Sequence, residues 1–86
     1  MPKLTGKEGQ KNFTGKNLKE LRKTTGDSQR SLAIKLQCLG LDVDKNVITR
    51  IETNKRYVTD IELKAFAEYF NVSYETLIDG DDKVNS

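Results

Sequence analysis

Apolar residues recur along this chain at helical spacing, and the pattern resolves into five segments. Residues 15–26, "GKNLKELRKTTG", predict a first helix with Leu18 and Leu21 on one side and Gly26 as its stop. Arg22 lies four residues after Leu18, on the same apolar side, so its charge requires a partner. Residues 28–40 predict a second helix, with Ser28 as N-cap and Gly40 as terminator. Leu32, Leu36 and Leu39 form its core stripe, and the small Ala33 lets another helix approach closely. Ile34 and Cys38 make a weaker second stripe, read as extra core, with a dimer contact as the alternative. Cys38 is expected to be a small buried hydrophobe.

Three further helix starts carry a polar cap preceded by an apolar residue that can pack on the fourth helical position. Asp44 caps the third, with Val43 reaching Ile48. Thr59 caps the fourth and forms a capping box with Glu62, while Val58 reaches Leu63. Ser73 caps the fifth, with Val72 reaching Leu77. Leu63, Phe66, Ala67 and Phe70 then face the core. There is no repeat and no alternating strand pattern, so the fold class is all-α. Residues 1–13 are expected to be a flexible basic arm, residues 14–79 the helical domain, and residues 80–86 an acidic, frayed tail.

The third helix, in "DKNVITRIETNKR", mixes its polar and branched apolar residues closely. At about 100° per residue, Lys45, Asn46, Thr49 and Arg50 share one half of its surface. Val47, Ile48 and Ile51 share the other. Glu52 falls on the border of the apolar half, where Arg22 is the obvious counter-ion. The polar half holds residue types that reach base edges and phosphates, and no carboxylate. A polar face that simply meets water is the competing reading, and the context of the helix decides between the two.

Charge sharpens the picture. Residues 1–26 hold seven basic and two acidic residues, a net of +5; residues 27–59 net +2, and residues 60–86 net −5. A basic front and an acidic back suit a protein that turns one face to a polyanion. The chain has 86 residues, enough for one domain with one modest core. It has no histidine and a single cysteine, which excludes an internal disulfide and the usual nucleophile–base pairs and makes a metal site a poor prospect. No enzyme activity, cofactor or metal is expected. No apolar run approaches the ~20 residues of a membrane span, and the first ten residues have no signal-peptide core, so a cytoplasmic protein is expected.

The landmarks "LKELRKTTGDSQRSLAIKL", "VITRIETNKR" and "ELKAFAEYFNVSYETL" together resemble the lambda-repressor and Cro class of helix-turn-helix proteins, the XRE family, over roughly residues 17–78. The resemblance implies a compact five-helix bundle whose second and third helices form the helix-turn-helix, the third lying in the major groove. It implies that Lys45, Asn46, Val47, Thr49 and Arg50 read bases. It implies that Gln29 anchors a phosphate or helps with a base, that Thr53, Lys55, Arg56 and Tyr57 hold the sugar-phosphate backbone, and that Arg22 and Glu52 form a structural ion pair; Ser28, at the start of the second helix, is expected to add a phosphate contact. Two departures stand out. Asn54 occupies a position usually held by glycine, and asparagine tolerates the left-handed backbone the turn needs. The link after Leu36, "QCLGLDVD", is about five residues longer than the usual short turn, so a longer second helix or a wider loop is expected.

The function these features imply is sequence-specific binding of double-stranded DNA by a transcriptional regulator, as a homodimer, without a small-molecule effector domain in this chain. Leu77 and Ile78 are the first candidate dimer surface, and the Ile34/Cys38 stripe the second. The rival reading is a protein-interaction module, such as an antitoxin-like or adaptor protein, whose acidic C-terminal third meets a basic partner.

Overall fold

The structure, a computed structural model, describes residues 9–80. Its elements are α1 (Thr14–Thr25), α2 (Gln29–Cys38), α3 (Lys45–Glu52), α4 (Asp60–Phe70) and α5 (Tyr74–Asp79), with no strand among the described residues. The five-helix expectation holds. α1 packs against α3 and α5, α2 against α3 and α4, and α4 against α5. No helix among the described residues is long and apolar enough to cross a membrane.

Local chemistry sets the helix starts. The side chains of Ser28, Asp44, Thr59 and Ser73 each accept a hydrogen bond from the backbone N–H three residues on, satisfying a donor the helix leaves open. Thr59 and Glu62 complete a reciprocal capping box. α1 begins differently: Phe13 gives no side-chain cap, and Asn12 Oδ1 accepts from the Gly15 N–H at 2.7 Å instead. The exits are also alike. α1, α2 and α3 each close with paired backbone bonds back into the last turn, around a left-handed Gly26, Gly40 or Asn54.

The core is Leu18, Leu32, Ala33, Leu36, Leu41, Val43, Ile48, Ile51, Phe66 and Leu77. Leu63, Ala67 and Phe70 lie half-buried against it. Three expectations for α2 require correction. Leu39 is 54% exposed, Ile34 53% exposed, and Cys38 is exposed rather than a buried hydrophobe. The cause lies in the α2–α3 link. The helix ends at Cys38, and Gly40, at φ 96°, reverses the chain. The Leu41 N–H then bonds the Leu36 carbonyl at 3.1 Å, which brings Leu41 into the core. Val43 is buried next to it, and its carbonyl accepts from Gln37 Nε2 at 2.6 Å. The long link is therefore a packed loop, not an extended helix, and Leu41 and Val43 fill the space assigned to Leu39. Leu77 is completely buried, so of the first dimer candidate only Ile78 remains at the surface.

The expected N-terminal arm falls largely outside the described residues, but Lys11 and Asn12 are hydrogen-bonded to the domain. Of the expected tail, only Gly80 is described.

Asp27, between α1 and α2, is 6% exposed and joins three helices. Its carboxylate accepts from Lys35 Nζ (2.8 Å), Ser31 Oγ (2.9 Å), Thr25 Oγ1 (2.7 Å) and Tyr69 OH (2.8 Å). The Lys35 ammonium, helped by the three hydroxyls, holds the Asp27 carboxyl well below the usual carboxylate range, overcoming the opposing effect of burial. The same contact raises Lys35, while burial and then Asp27 push the Tyr69 phenol up.

A carboxyl with a lowered folded pKa stabilises the fold above its unfolded pKa, and that contribution is lost as pH falls toward the folded value. Denaturant midpoints are thus expected to fall as pH drops below about 4. Asp27→Asn is expected to lower the neutral-pH stability by about 1–3 kcal/mol and to flatten the acid limb. Urea titrations at several pH values check both.

Gly15 carries a second prediction. It is buried where α1 crosses α3, and a Cβ there would collide with the Ile51 carbonyl oxygen. Gly15→Ala gains up to about 1 kcal/mol of helix propensity, but the clash is with backbone and can be relieved only by moving α1 from α3. A net loss of about 1–2 kcal/mol in denaturation is expected.

Candidate nucleic-acid interface

α3 is an eight-residue helix held from behind by its apolar half. Ile48 and Ile51 are wholly buried, and Val47 is half-buried against the core. A cap fixes its start: Asp44 Oδ1 accepts from the Val47 N–H at 3.0 Å.

Its last turn is anchored by an ion pair with α1. Arg22 Nε and Nη2 donate to Glu52 Oε2 (2.7 Å) and Oε1 (2.9 Å), a two-pronged arrangement. Only 2% of the Glu52 side chain and 12% of the Arg22 side chain are exposed. The third guanidinium nitrogen, Nη1, donates to the Asp27 carbonyl at 3.0 Å. The hydrogen bond with Glu52 raises the Arg22 pKa, against the effect of burial. The same carboxylate reaches α2, where Gln29 Nε2 donates to Glu52 Oε1 at 3.0 Å. Gln29 Oε1 in turn accepts from Thr49 Oγ1 at 2.7 Å. Arg22, Glu52, Gln29 and Thr49 thus form one connected network across α1, α2 and α3.

The exit of α3 is clasped by two asparagines. Asn54, at φ 64°, takes the left-handed turn, and its Oδ1 accepts from the Lys11 and Asn12 N–H groups at 2.7 and 3.0 Å. Asn12 Nδ2 donates back to the Ile51 and Arg56 carbonyls at 3.2 and 2.8 Å. Asn12 therefore caps α1 with its oxygen and holds the end of α3 with its nitrogen.

The residues assigned to base reading separate into two groups. Lys45, Asn46 and Arg50 are exposed, and no side-chain hydrogen bond or ion pair holds them among the described residues. Val47 shares its surface with the core, and Thr49 is half-buried in the network.

The residues assigned to phosphate contact also divide. Lys55 is exposed, and Tyr57 is 68% exposed with Lys11 Nζ 5.3 Å from its ring centroid. Ser28 caps α2, and Thr53 Oγ1 bonds the Thr49 carbonyl at 2.8 Å. Arg56 Nη1 is committed within the chain to both Glu62 oxygens, each at 2.9 Å, and to the Tyr57 carbonyl at 3.1 Å.

Sequence reading missed Asn12 and Asp27. The signal available for Asn12 was its position just ahead of a helix with no conventional cap. For Asp27 it was a carboxylate placed directly before the Ser28 cap.

A family model described as helix-turn-helix, of the lambda-repressor (XRE) type, matches residues 18–77. The chain belongs to the helix-turn-helix family. The match runs from Leu18 in α1 to Leu77 in α5, both completely buried, so it spans the whole core. No curated protein and no solved structure gives a match. Family membership makes this a DNA-binding helix-turn-helix domain.

Because Arg22 neutralises a buried carboxylate, Arg22→Ala leaves Glu52 without its charge partner. A stability loss of about 3–5 kcal/mol is expected, a large share of the roughly 5–15 kcal/mol available to a small domain. Calorimetric melting checks the loss. A variant that melts like the parent would show that Arg22 does not anchor α3.

Proposed function

We propose that this helix-turn-helix protein is a transcriptional regulator that binds a specific double-stranded DNA sequence with α3 in the major groove. The observation that carries the reading is the contrast across α3. Its inner face and both ends are tied into the fold, while Lys45, Asn46 and Arg50 stand exposed on the outer face without side-chain partners among the described residues. A helix fixed in this way has little backbone freedom left to lose when its outer side chains are engaged.

Arg50 and Lys45 suit guanine, Asn46 suits adenine, and the exposed part of Val47 suits a thymine methyl. Lys55 and Tyr57 flank the helix end, and the N-terminus of α2 with Ser28 and Gln29 faces the backbone, together supplying phosphate contacts and much of the affinity. Thr53 and the remaining donors of Arg56 add to this set. One small domain buries a limited interface, so two copies on a near-palindromic site are the expected binding form. Ile78 and Tyr74, one turn apart on α5, with Ile61 beside Tyr74 on α4, and the separate Ile34/Cys38/Leu39 face of α2 are the surfaces a second copy has available. Such a regulator works at the nucleoid in the cytoplasm.

Selection of sites from random duplex DNA at near-physiological salt tests the reading. An enriched, near-palindromic motif is expected, and the Arg50→Ala, Asn46→Ala double variant is expected to lose at least roughly tenfold in affinity for it. No enrichment by a folded wild-type protein would instead favour a module that serves a protein partner.

A further inference from the structure

Thr49 sits on the proposed groove face, yet its hydroxyl is not free to act in both directions. Serine and threonine hydroxyls ordinarily read donors or acceptors on a base, because the proton turns to suit. Here the network behind α3 removes that freedom. Glu52, gripped on both oxygens by Arg22, is an ionised carboxylate and therefore only accepts. The end of the Gln29 carboxamide that faces it at 3.0 Å must be the NH2 group, since a carbonyl oxygen there would be repelled. The carbonyl end of Gln29 is then 2.7 Å from Thr49 Oγ1. Two oxygens at that distance share one proton, and an amide oxygen has none to give, so Thr49 supplies it. Among the described residues, the other partner of that hydroxyl, the Lys45 carbonyl at 3.0 Å, is also an acceptor and competes for the same proton.

We infer that Arg22, Glu52 and Gln29 act as a relay that fixes the Thr49 hydroxyl as a one-way acceptor, making Thr49 a specificity-determining residue for an amino-bearing base. This rests on α3 lying in the major groove. There, adenine N6 and cytosine N4 donate, whereas guanine O6 and N7 and thymine O4 accept. At the base Thr49 faces, adenine or cytosine is matched, and guanine or thymine sets acceptor against acceptor. Gln29 is a positioning residue in this scheme.

The experiment is site selection from random duplex DNA, with melting curves to confirm folding, for the wild-type protein and for Thr49→Val, Thr49→Ser and Gln29→Met. One motif column in the wild type is expected to favour adenine or cytosine over guanine or thymine by roughly tenfold, the effect of about 1.4 kcal/mol. Thr49→Val should erase that preference at this column and leave the others, and Thr49→Ser should keep it. Gln29→Met, which leaves the proton only the longer bond to the Lys45 carbonyl and so lets the hydroxyl turn toward a base acceptor, should narrow the preference against the keto bases, with the Lys45, Asn46 and Arg50 columns intact. A keto preference at the Thr49 column, no column altered by Thr49→Val, or a column unmoved by Gln29→Met would each overturn the inference while leaving the groove reading in place. A folded wild-type protein that enriches no motif would overturn the groove reading itself, and the relay with it.

Discussion

The Glu52 carboxylate governs the geometry of this domain. A charge withdrawn this far from water is tolerated only with a full set of partners. It finds them on two other helices: the Arg22 guanidinium on α1 and the Gln29 amide on α2. Since Glu52 is the last residue of α3, satisfying it fixes how the helix lies against the other two. Apolar contacts alone would hold α3 down but let it rotate or slide, because burial has no direction. The ion pair removes that latitude. A two-pronged arginine–carboxylate contact fixes orientation as well as distance.

Around that contact the domain divides its polar residues into those that build and those that are offered. Arg22 with Glu52, Lys35 with Asp27 and Arg56 with Glu62 satisfy one another, and no buried side-chain nitrogen or oxygen among the described residues lacks a partner. Lys45, Asn46, Arg50 and Lys55 are left outside this set. A helix-turn-helix domain must keep these two populations apart. If the presented side chains folded back onto the carboxylates, the surface would satisfy itself before DNA arrived.

What could be read from the sequence was whatever is decided within a few residues. Ser28, Asp44, Thr59 and Ser73 each cap a backbone group three positions away, so the helix starts were legible, and so was the tolerance of Asn54 for a left-handed turn. Arg22 and Glu52 announced themselves as charges on apolar sides. The α2 exit was misread because helical periodicity continues through Leu39 on paper, whereas Gly40 turns the chain and sends Leu41 inward. The Asn12–Asn54 clasp and the Asp27–Tyr69 bond each join residues 42 apart in sequence, and nothing local marks such partners. For the interface, residue type gave the candidates. Only the contacts behind the helix separate exposed Arg50 from engaged Gln29, or from Arg56 bound to Glu62.

The packed link between α2 and α3 makes this pair of helices a poor cassette. Here Leu41 and Val43 belong to the loop and to the core at once, and Gln37 pins the loop to the end of α2. Replacing this link with a short turn would remove two core side chains. The exposed outer face of α3 is therefore open to single exchanges, while the connection that carries the helix is as fixed as the core.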